Sequence, residues 1–519
     1  IKDASVRVKE DLLARAEHAS RDGKAVLKST SQMATDRALI KSAVKLVETQ
    51  EMAPERAIWE AATPFADQMA ALGGYMAERV TDIHDVRARI VAELTGQQAP
   101  GIPVSDKPFI LAAIDLAPAD TATLDPEKVI ALITSDGGPQ AHTAILARGL
   151  GLPAIVAAKG VTDIADGTIV YVDSNEGIVD TEPTDADREA AIKYANRKPV
   201  ADFDGVGVLA DGTRVELYAN VGDGKSAEKA ASLKAEGVGL LRTEFGFLGH
   251  DAEPSIEAQA KTYKSVFDAF PGKHIVVRTL DAGADKPLPF LNVNPEENPA
   301  LGVRGFRTDW TVPGVLTRQL EAIKVASEDS DADIWVMAPM ISTTSEARNF
   351  ANMLKEIGLP VHGVMVETPA AVMNAEAILG EVDFVSIGTN DLTQYTMAAD
   401  RLLGDLAHLN NPWQPAVLKM IKMTVEGAQR ASVTAGKKKY VSVCGEAAAD
   451  PALAVVLIGL GVDTLSMNAG AIPAVAAVLK SVTKEKAQQI AAIALQQISS
   501  AEAKDTARAA LPILDELGL

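Results

Sequence analysis

HGVMVETPAAVMNAEAILGEVDFVSIGTND, residues 362–391, contains two short apolar runs, each closed by a polar residue, with a helix-prone stretch between them. The same unit recurs beyond Val206: a short apolar strand, a polar residue at its end, then a helix of moderate length. The candidate strands are VELYAN (215–220), VGLLRT (238–243), IVVRTL (275–280), IWVMAP (334–339), HGVMVE (362–367), FVSIGT (384–389), YVSVCG (440–445) and TLSMN (464–468). Eight such units in roughly 300 residues suit a (β/α)₈ barrel with insertions. A doubly wound sheet is the alternative. The position of the reactive side chains favours the barrel, because Asn220, Arg242, Arg278, Glu367, Asn390, Asp391 and Cys444 all fall at or just after carboxyl ends of strands. In a barrel those ends face one mouth.

Upstream of the barrel the pattern changes twice. Residues 1–97 repeat apolar side chains at spacings of three and four, as in Leu39, Ile40, Val44, Leu46 and Val47, then Ile58, Ala61 and Ala62, then Met69, Leu72 and Met76. This predicts a helical bundle. QQAPGIPVSDKP (97–108) breaks that pattern, and residues 98–184 carry the short runs PFILAAIDL, VIALITSD, LPAIVAA, GTIVYVD and GIVDTEP, which predict a small α/β domain. SNEG (174–177) predicts a hairpin turn with Gly177 at positive φ. A charged helix from Asp185 to Lys198 lies within a linker, 185–205, and the barrel takes 206–519.

Composition narrows the function. The chain has 519 residues, with 50 Lys and Arg against 70 Asp and Glu, a formal net charge of -20. Such a surface repels phosphate backbones, so nucleic acid is not the expected partner. The longest apolar run, Ala452 to Val462, falls short of the ~20 residues a membrane span needs. The one cysteine, Cys444, excludes an internal disulfide framework and suits a reducing cytoplasm.

GGPQAHTAILARGLGLPAIV (137–156) places His142 after two glycines and at the start of a helix-prone segment. Free N–H groups and the helix dipole favour an anion there, so a phosphate on the imidazole suits the position. An isolated histidine more often serves structure. This segment, however, resembles the phosphohistidine signature of Enzyme I of the bacterial phosphoenolpyruvate:sugar phosphotransferase system, pyruvate phosphate dikinase and phosphoenolpyruvate synthase. The resemblance implies a swivelling phosphohistidine domain with His142 as the phosphorylated nucleophile. Gln140 and Ala141 stand where many relatives have Thr and Ser, which removes the hydroxyls that regulatory phosphorylation would use. DLAPADTATL (115–124) resembles the Enzyme I segment whose threonine hydrogen-bonds the active histidine, here Thr121.

The barrel segments RTEF, RTLDAGADKPLP, EENPALGVR, VETPAA, SIGTNDLTQYT, AADR and CGE follow in order the phosphoenolpyruvate-binding barrel of Enzyme I. The resemblance implies that Arg242, Arg278, Lys286, Arg304, Asn390 and Arg401 bind the substrate. It also implies that Glu367 and Asp391 hold Mg2+ and that Cys444 protonates the enolate of pyruvate. The chemistry agrees with these residue types. A substrate bearing phosphate and carboxylate asks for planar guanidinium forks, and magnesium asks for one or two carboxylates plus substrate oxygens and water. Taken singly, any of these arginines would be read as a surface residue, and the cysteine as inert core.

The helical region replaces the nucleotide-grasp domain that the dikinase and synthase need, so the expected activity is transfer of phosphoryl from phosphoenolpyruvate to the phosphocarrier HPr. KSAVKLVETQEMAPERAIWEA (41–61) resembles the HPr-docking helix pair. The family's opening strand is absent before Ile1, which reads as an expectation that an N-terminal segment is missing. Dimerisation through the barrel is a further implication. Two other readings remain: a dikinase or synthase fragment, and a non-catalytic phosphoenolpyruvate sensor.

Overall fold

A computed structural model gives the fold. It describes the chain except residues 19–20, 73–79, 98, 100, 104, 117–119, 121–123, 126–127, 137–142, 144–146, 148–151, 175–176, 196–199, 283–287, 292–295, 402 and 404–405, and except the side chains of 18, 21–26, 69–72 and 81. Two compact units emerge, Ile1–Ile192 and Lys193–Leu519.

The first unit opens with helices α1 (Lys2–His18), α2 (Arg21–Ala34), α3 (Arg37–Gln50), α4 (Pro54–Leu72) and α5 (Val80–Thr95). Their apolar stripes meet in one core that includes Leu12, Leu27, Leu39, Ile40, Ile58 and Ile90. Asp36 starts α3 by accepting the backbone N–H groups of Ala38 and Leu39, both at 2.9 Å. Arg89 on α5 is fully buried. Its guanidinium binds Asp85 at 2.8 Å and Asp120 at 2.6 Å, tying the bundle to the segment that follows. Losing either carboxylate would leave a buried charge only partly paired.

That segment builds a parallel sheet of β1 (Phe109–Ala113), β2 (Val129–Thr134) and β3 (Ala154–Ile155). The strands β4 (Tyr171–Asp173) and β5 (Ile178–Asp180) instead pair antiparallel as a separate hairpin. Gly177, at φ 70°, enters β5 in the left-handed region predicted for it. Helix α6 (Asp185–Ala195) has no buried residue, and the boundary between the two units falls inside it.

The second unit is a closed barrel of β6 (Glu216–Val221), β7 (Gly237–Arg242), β8 (His274–Arg278), β9 (Asp333–Ala338), β10 (His362–Val366), β11 (Phe384–Gly388), β12 (Tyr440–Cys444) and β13 (Thr464–Met467). Every neighbouring pair is parallel, and β13 closes on β6. Period-two alternation explains the layering. On β8, Ile275 and Val277 join the core between strands and outer helices, while Val276 points into the barrel with Leu240, Met337 and Met365. Each fully buried aliphatic side chain contributes about 1.5–3 kcal/mol.

The apolar run from Ala452 becomes a buried helix, Pro451–Leu460. Asp450 fixes its start by accepting the N–H groups of Ala452 and Leu453, and also the indole N–H of Trp413 at 2.8 Å. Among the described residues no helix is long and apolar enough to cross a membrane.

Near the amino ends of β10 and β11, Asp383 accepts His362 Nδ1 at 2.5 Å and Lys437 Nζ at 2.6 Å. Burial alone would raise its carboxyl pKa, but these two partners hold it below the ordinary range. A depressed carboxyl gives stability that is present above the unfolded pKa of about 3.9 and is lost as pH falls through the folded value. Asp383→Asn is therefore expected to lose about 1–2 kcal/mol in urea unfolding at pH 7. The gap from the parent should shrink below about pH 4; a gap unchanged at acid pH would show that the carboxylate charge is not what matters.

Candidate functional site

The carboxyl ends of the eight strands converge on one mouth. Parallel register brings Arg242 on β7 beside Arg278 on β8, and Cys444 on β12 beside Gly388 on β11 and Ser466 on β13. Glu367 follows β10 directly, and Asn390 and Asp391 lie in the first turn of the helix Thr389–Met397 that follows β11. Arg304 comes from the long β8–β9 connection, just before a 3-10 turn. Arg401 comes from the loop after the Thr389–Met397 helix.

Arg278, Arg304 and Arg401 are held by acids. Arg278 is buried, with Nη2 3.0 Å from Glu244 and Nη1 3.1 Å from Asp281. Asp281 also receives Arg304 Nη2 at 2.9 Å, so one carboxylate spans two guanidiniums. Arg304 then reaches Asp391 through Nη1 at 2.9 Å, and Arg401 lies 3.6 Å from the other Asp391 oxygen. Burial would raise the Asp281 pKa, but Arg278 and Arg304 outweigh it and keep the group anionic. The result is a lattice of alternating charges in which no guanidinium turns without breaking an ion pair.

Glu367 is the exception. It is buried, and one oxygen accepts the backbone N–H of Met340 at 2.7 Å. Met340 holds φ 60°, a left-handed conformation that costs a non-glycine residue of order 1–3 kcal/mol and here aims that N–H at the carboxyl. The other oxygen lies 2.6 Å from where a Cβ on residue 388 would stand, so only glycine leaves room for it. Burial, then the charges of Asp391 and Asp281, push the Glu367 carboxyl up to about 8 against the opposing Arg304 and Arg278. A divalent cation would relieve that repulsion, so Glu367 and Asp391 fit Mg2+. Among the described residues no group of three or more His, Cys, Asp or Glu side chains is arranged for a metal. Two carboxylates with substrate oxygens and water are the donor set this ion ordinarily takes.

Cys444 is 3% exposed, and burial pushes its thiol pKa up, so it stays protonated. Its Sγ lies 3.6 Å from the Ile387 carbonyl oxygen. Gly445 follows at φ 109°, a conformation that turns the chain sharply past Asn390.

His142, Thr121 and Lys286 lie outside the described residues. Thr143, next to His142, is buried and donates to Asp115 Oδ1 at 2.9 Å. The sequence reading passed over Asp281, Glu244, Met340 and Tyr395, the last of which receives Arg304 Nη1 at 3.4 Å. Asp281 and Glu244 do lie within three residues of Arg278 and Arg242, an acid beside each expected phosphate clamp.

Comparison with known proteins bears on this arrangement. Residues 201–484 match the family described as PEP-utilising enzyme, PEP-binding domain; 105–177 match the mobile domain of PEP-utilising enzymes, and 1–79 their N-terminal domain. A phosphoenolpyruvate-protein phosphotransferase of Streptomyces coelicolor is 45% identical over 97% of this chain and 90% of its own length. One of Haloferax volcanii is 39% identical over 86% and 80%, and one of Geobacillus stearothermophilus 36% over 94% and 87%. The chain belongs to the phosphoenolpyruvate-protein phosphotransferase family and is an enzyme of that kind.

Proposed function

We propose that this chain transfers the phosphoryl group of phosphoenolpyruvate to His142 and then to the phosphocarrier HPr, releasing pyruvate, as the first step of sugar uptake by the phosphotransferase system. The observation that carries this reading is the barrel mouth, where Arg242, Arg278 and Arg304 stand with Glu367 and Asp391 above a protonated Cys444.

The arginines clamp the substrate's phosphate and carboxylate, with Arg401, Lys286 and the Asn390 amide adding contacts. Glu367 and Asp391 would hold Mg2+, which when bound would supply positive charge against the phosphate. The unprotonated His142 ring nitrogen attacks phosphorus in line, the N–P bond forms, and the P–O bond to the enolate breaks. Thr121 orients the imidazole. The Cys444 S–H then gives its proton to the enolate carbon, yielding pyruvate and a thiolate that solvent reprotonates. The phosphohistidine domain, residues 98–184, moves on the 185–205 linker to meet HPr on helices α3 and α4. We place the reaction in the cytoplasm, in a homodimer joined through the barrel.

The test mixes the protein with phosphoenolpyruvate, Mg2+ and HPr, without nucleotide. Pyruvate and phospho-HPr should form together. A requirement for ATP or AMP would replace this reading with a dikinase, and no pyruvate at all would leave a sensor. In the same assay Cys444→Ala should slow pyruvate release by about 10²–10⁴-fold, the usual worth of a general acid, while substrate affinity stays within a few-fold. Unchanged turnover would remove Cys444 as the donor.

A further inference from the structure

Among the described residues of the second unit, the end of the barrel opposite the catalytic mouth is open. A cavity of about 230 Å³ opens there among the amino-terminal residues of the strands, with Glu216, His274, Asp333, Phe384 and Tyr440 each the first residue of its strand. The inward layer of Leu240, Val276, Met337 and Met365 fills the barrel between the two ends, so this cavity is separate from the charge lattice above.

Two features of its wall act together. The first is aromatic. Trp335 is the hub, with its ring centre 4.3 Å from that of His274 at 87°, 4.9 Å from Phe384 and 5.8 Å from Tyr440 at 62°. Tyr218 extends the wall, 5.2 Å from His274. The faces of such rings are electron-rich. The second feature is negative charge. Glu216 and Asp333 line the cavity, Asp333 with one oxygen 3.2 Å from His274 Nδ1, and Glu236 acts on Tyr218 from close by. Burial and these carboxylates keep the Tyr218 phenol protonated, with its hydroxyl toward Glu216. Nearby cations are engaged elsewhere: Arg214 binds Glu236, and Lys438 binds Asp463 at 2.7 Å. Lys438, which does not line the cavity, also sets its ammonium 4.8 Å over the Tyr440 ring, an internal instance of the contact these rings favour.

We propose that this lower mouth binds a small organic ammonium cation. The carboxylates exclude phosphates and other anions. A metal ion is disfavoured because, among the described residues, no three His, Cys, Asp or Glu side chains are grouped as a ligand set. An alkylated ammonium meets both features, since its weakly hydrated surface gains from the ring faces and its charge from Glu216 and Asp333.

The probe is choline, titrated into the full chain by calorimetry beside dimethylbutanol, its uncharged carbon isostere. Choline should bind saturably and one-to-one, and the alcohol about tenfold more weakly or worse, the difference a desolvated cation–π contact makes. Glu216→Gln should weaken choline several-fold and Trp335→Leu should abolish binding, with phosphoenolpyruvate turnover unchanged in Glu216→Gln. No saturable heat, equal binding of the alcohol, or choline affinity unchanged in Glu216→Gln would each overturn the proposal. If Trp335→Leu fails to fold, Glu216→Gln and the isostere decide it alone.

Discussion

Arg278→Met is expected to lower kcat/KM for phosphoenolpyruvate by about a thousandfold and to destabilise the barrel by about 3–5 kcal/mol. Both effects have one source. Arg278 is the buried cation between Glu244 and Asp281, and its charge also opposes the rise of the Glu367 pKa. Methionine matches the stem but leaves two buried carboxylates short of a partner, a condition more costly than the original pair was valuable. Without that cation Glu367 is pushed further up, so on the proposed mechanism the mouth loses a phosphate clamp and weakens a metal carboxylate at once. Arg278→Lys separates the contributions, because it keeps the charge and loses the planar fork. It should recover much of the stability in urea unfolding and little of the turnover. A turnover loss below tenfold in Arg278→Met would show that the guanidinium serves the fold alone.

His142→Ala is expected to reduce labelling of the chain by radioactive phosphoenolpyruvate to background. A phosphoryl group leaving the substrate needs a nucleophile, and in the proposed mechanism that is the His142 imidazole. Residues 105–177 match that domain, and they belong to the first unit, whereas the charge lattice is built wholly within Lys193–Leu519. Substrate affinity should therefore stay within a few-fold while pyruvate release stops. The label on the parent protein should also be lost in acid, as expected of a phosphorus–nitrogen bond. Acid-stable label, or label retained in His142→Ala, would move the acceptor to another residue.

The barrel was legible because its signal is local. A buried strand must be an unbroken apolar run, and a side chain destined for the mouth must follow that run directly. Glu367 after HGVMV and Asp391 after FVSIG show both in a few residues. The small domain was less so. GTIVYVD and GIVDTEP read as two runs joined by a hairpin at SNEG, and β4 and β5 do pair antiparallel; that among the described residues they stand apart from the β1–β3 sheet was not legible, because sheet partnership depends on contacts far along the chain.

By itself the sequence determined the layout: a helical bundle, a small α/β domain and a barrel whose strand ends carry arginine, acid and thiol. It also carried the net charge of -20, which describes the surface and says nothing of the mouth. Tertiary structure decided the electrostatics. That Asp281 is shared by Arg278 and Arg304, that Glu367 rises to about 8, and that the Cys444 thiol holds its proton all follow from burial and from distances across strands. The aromatic, acidic lower mouth is of the same kind. Its residues are scattered from Glu216 to Thr464, and only the closure of β13 on β6 brings them around one space. Periodicity is written along the chain, whereas charge pairing and cavities depend on distances that exist only after the barrel closes.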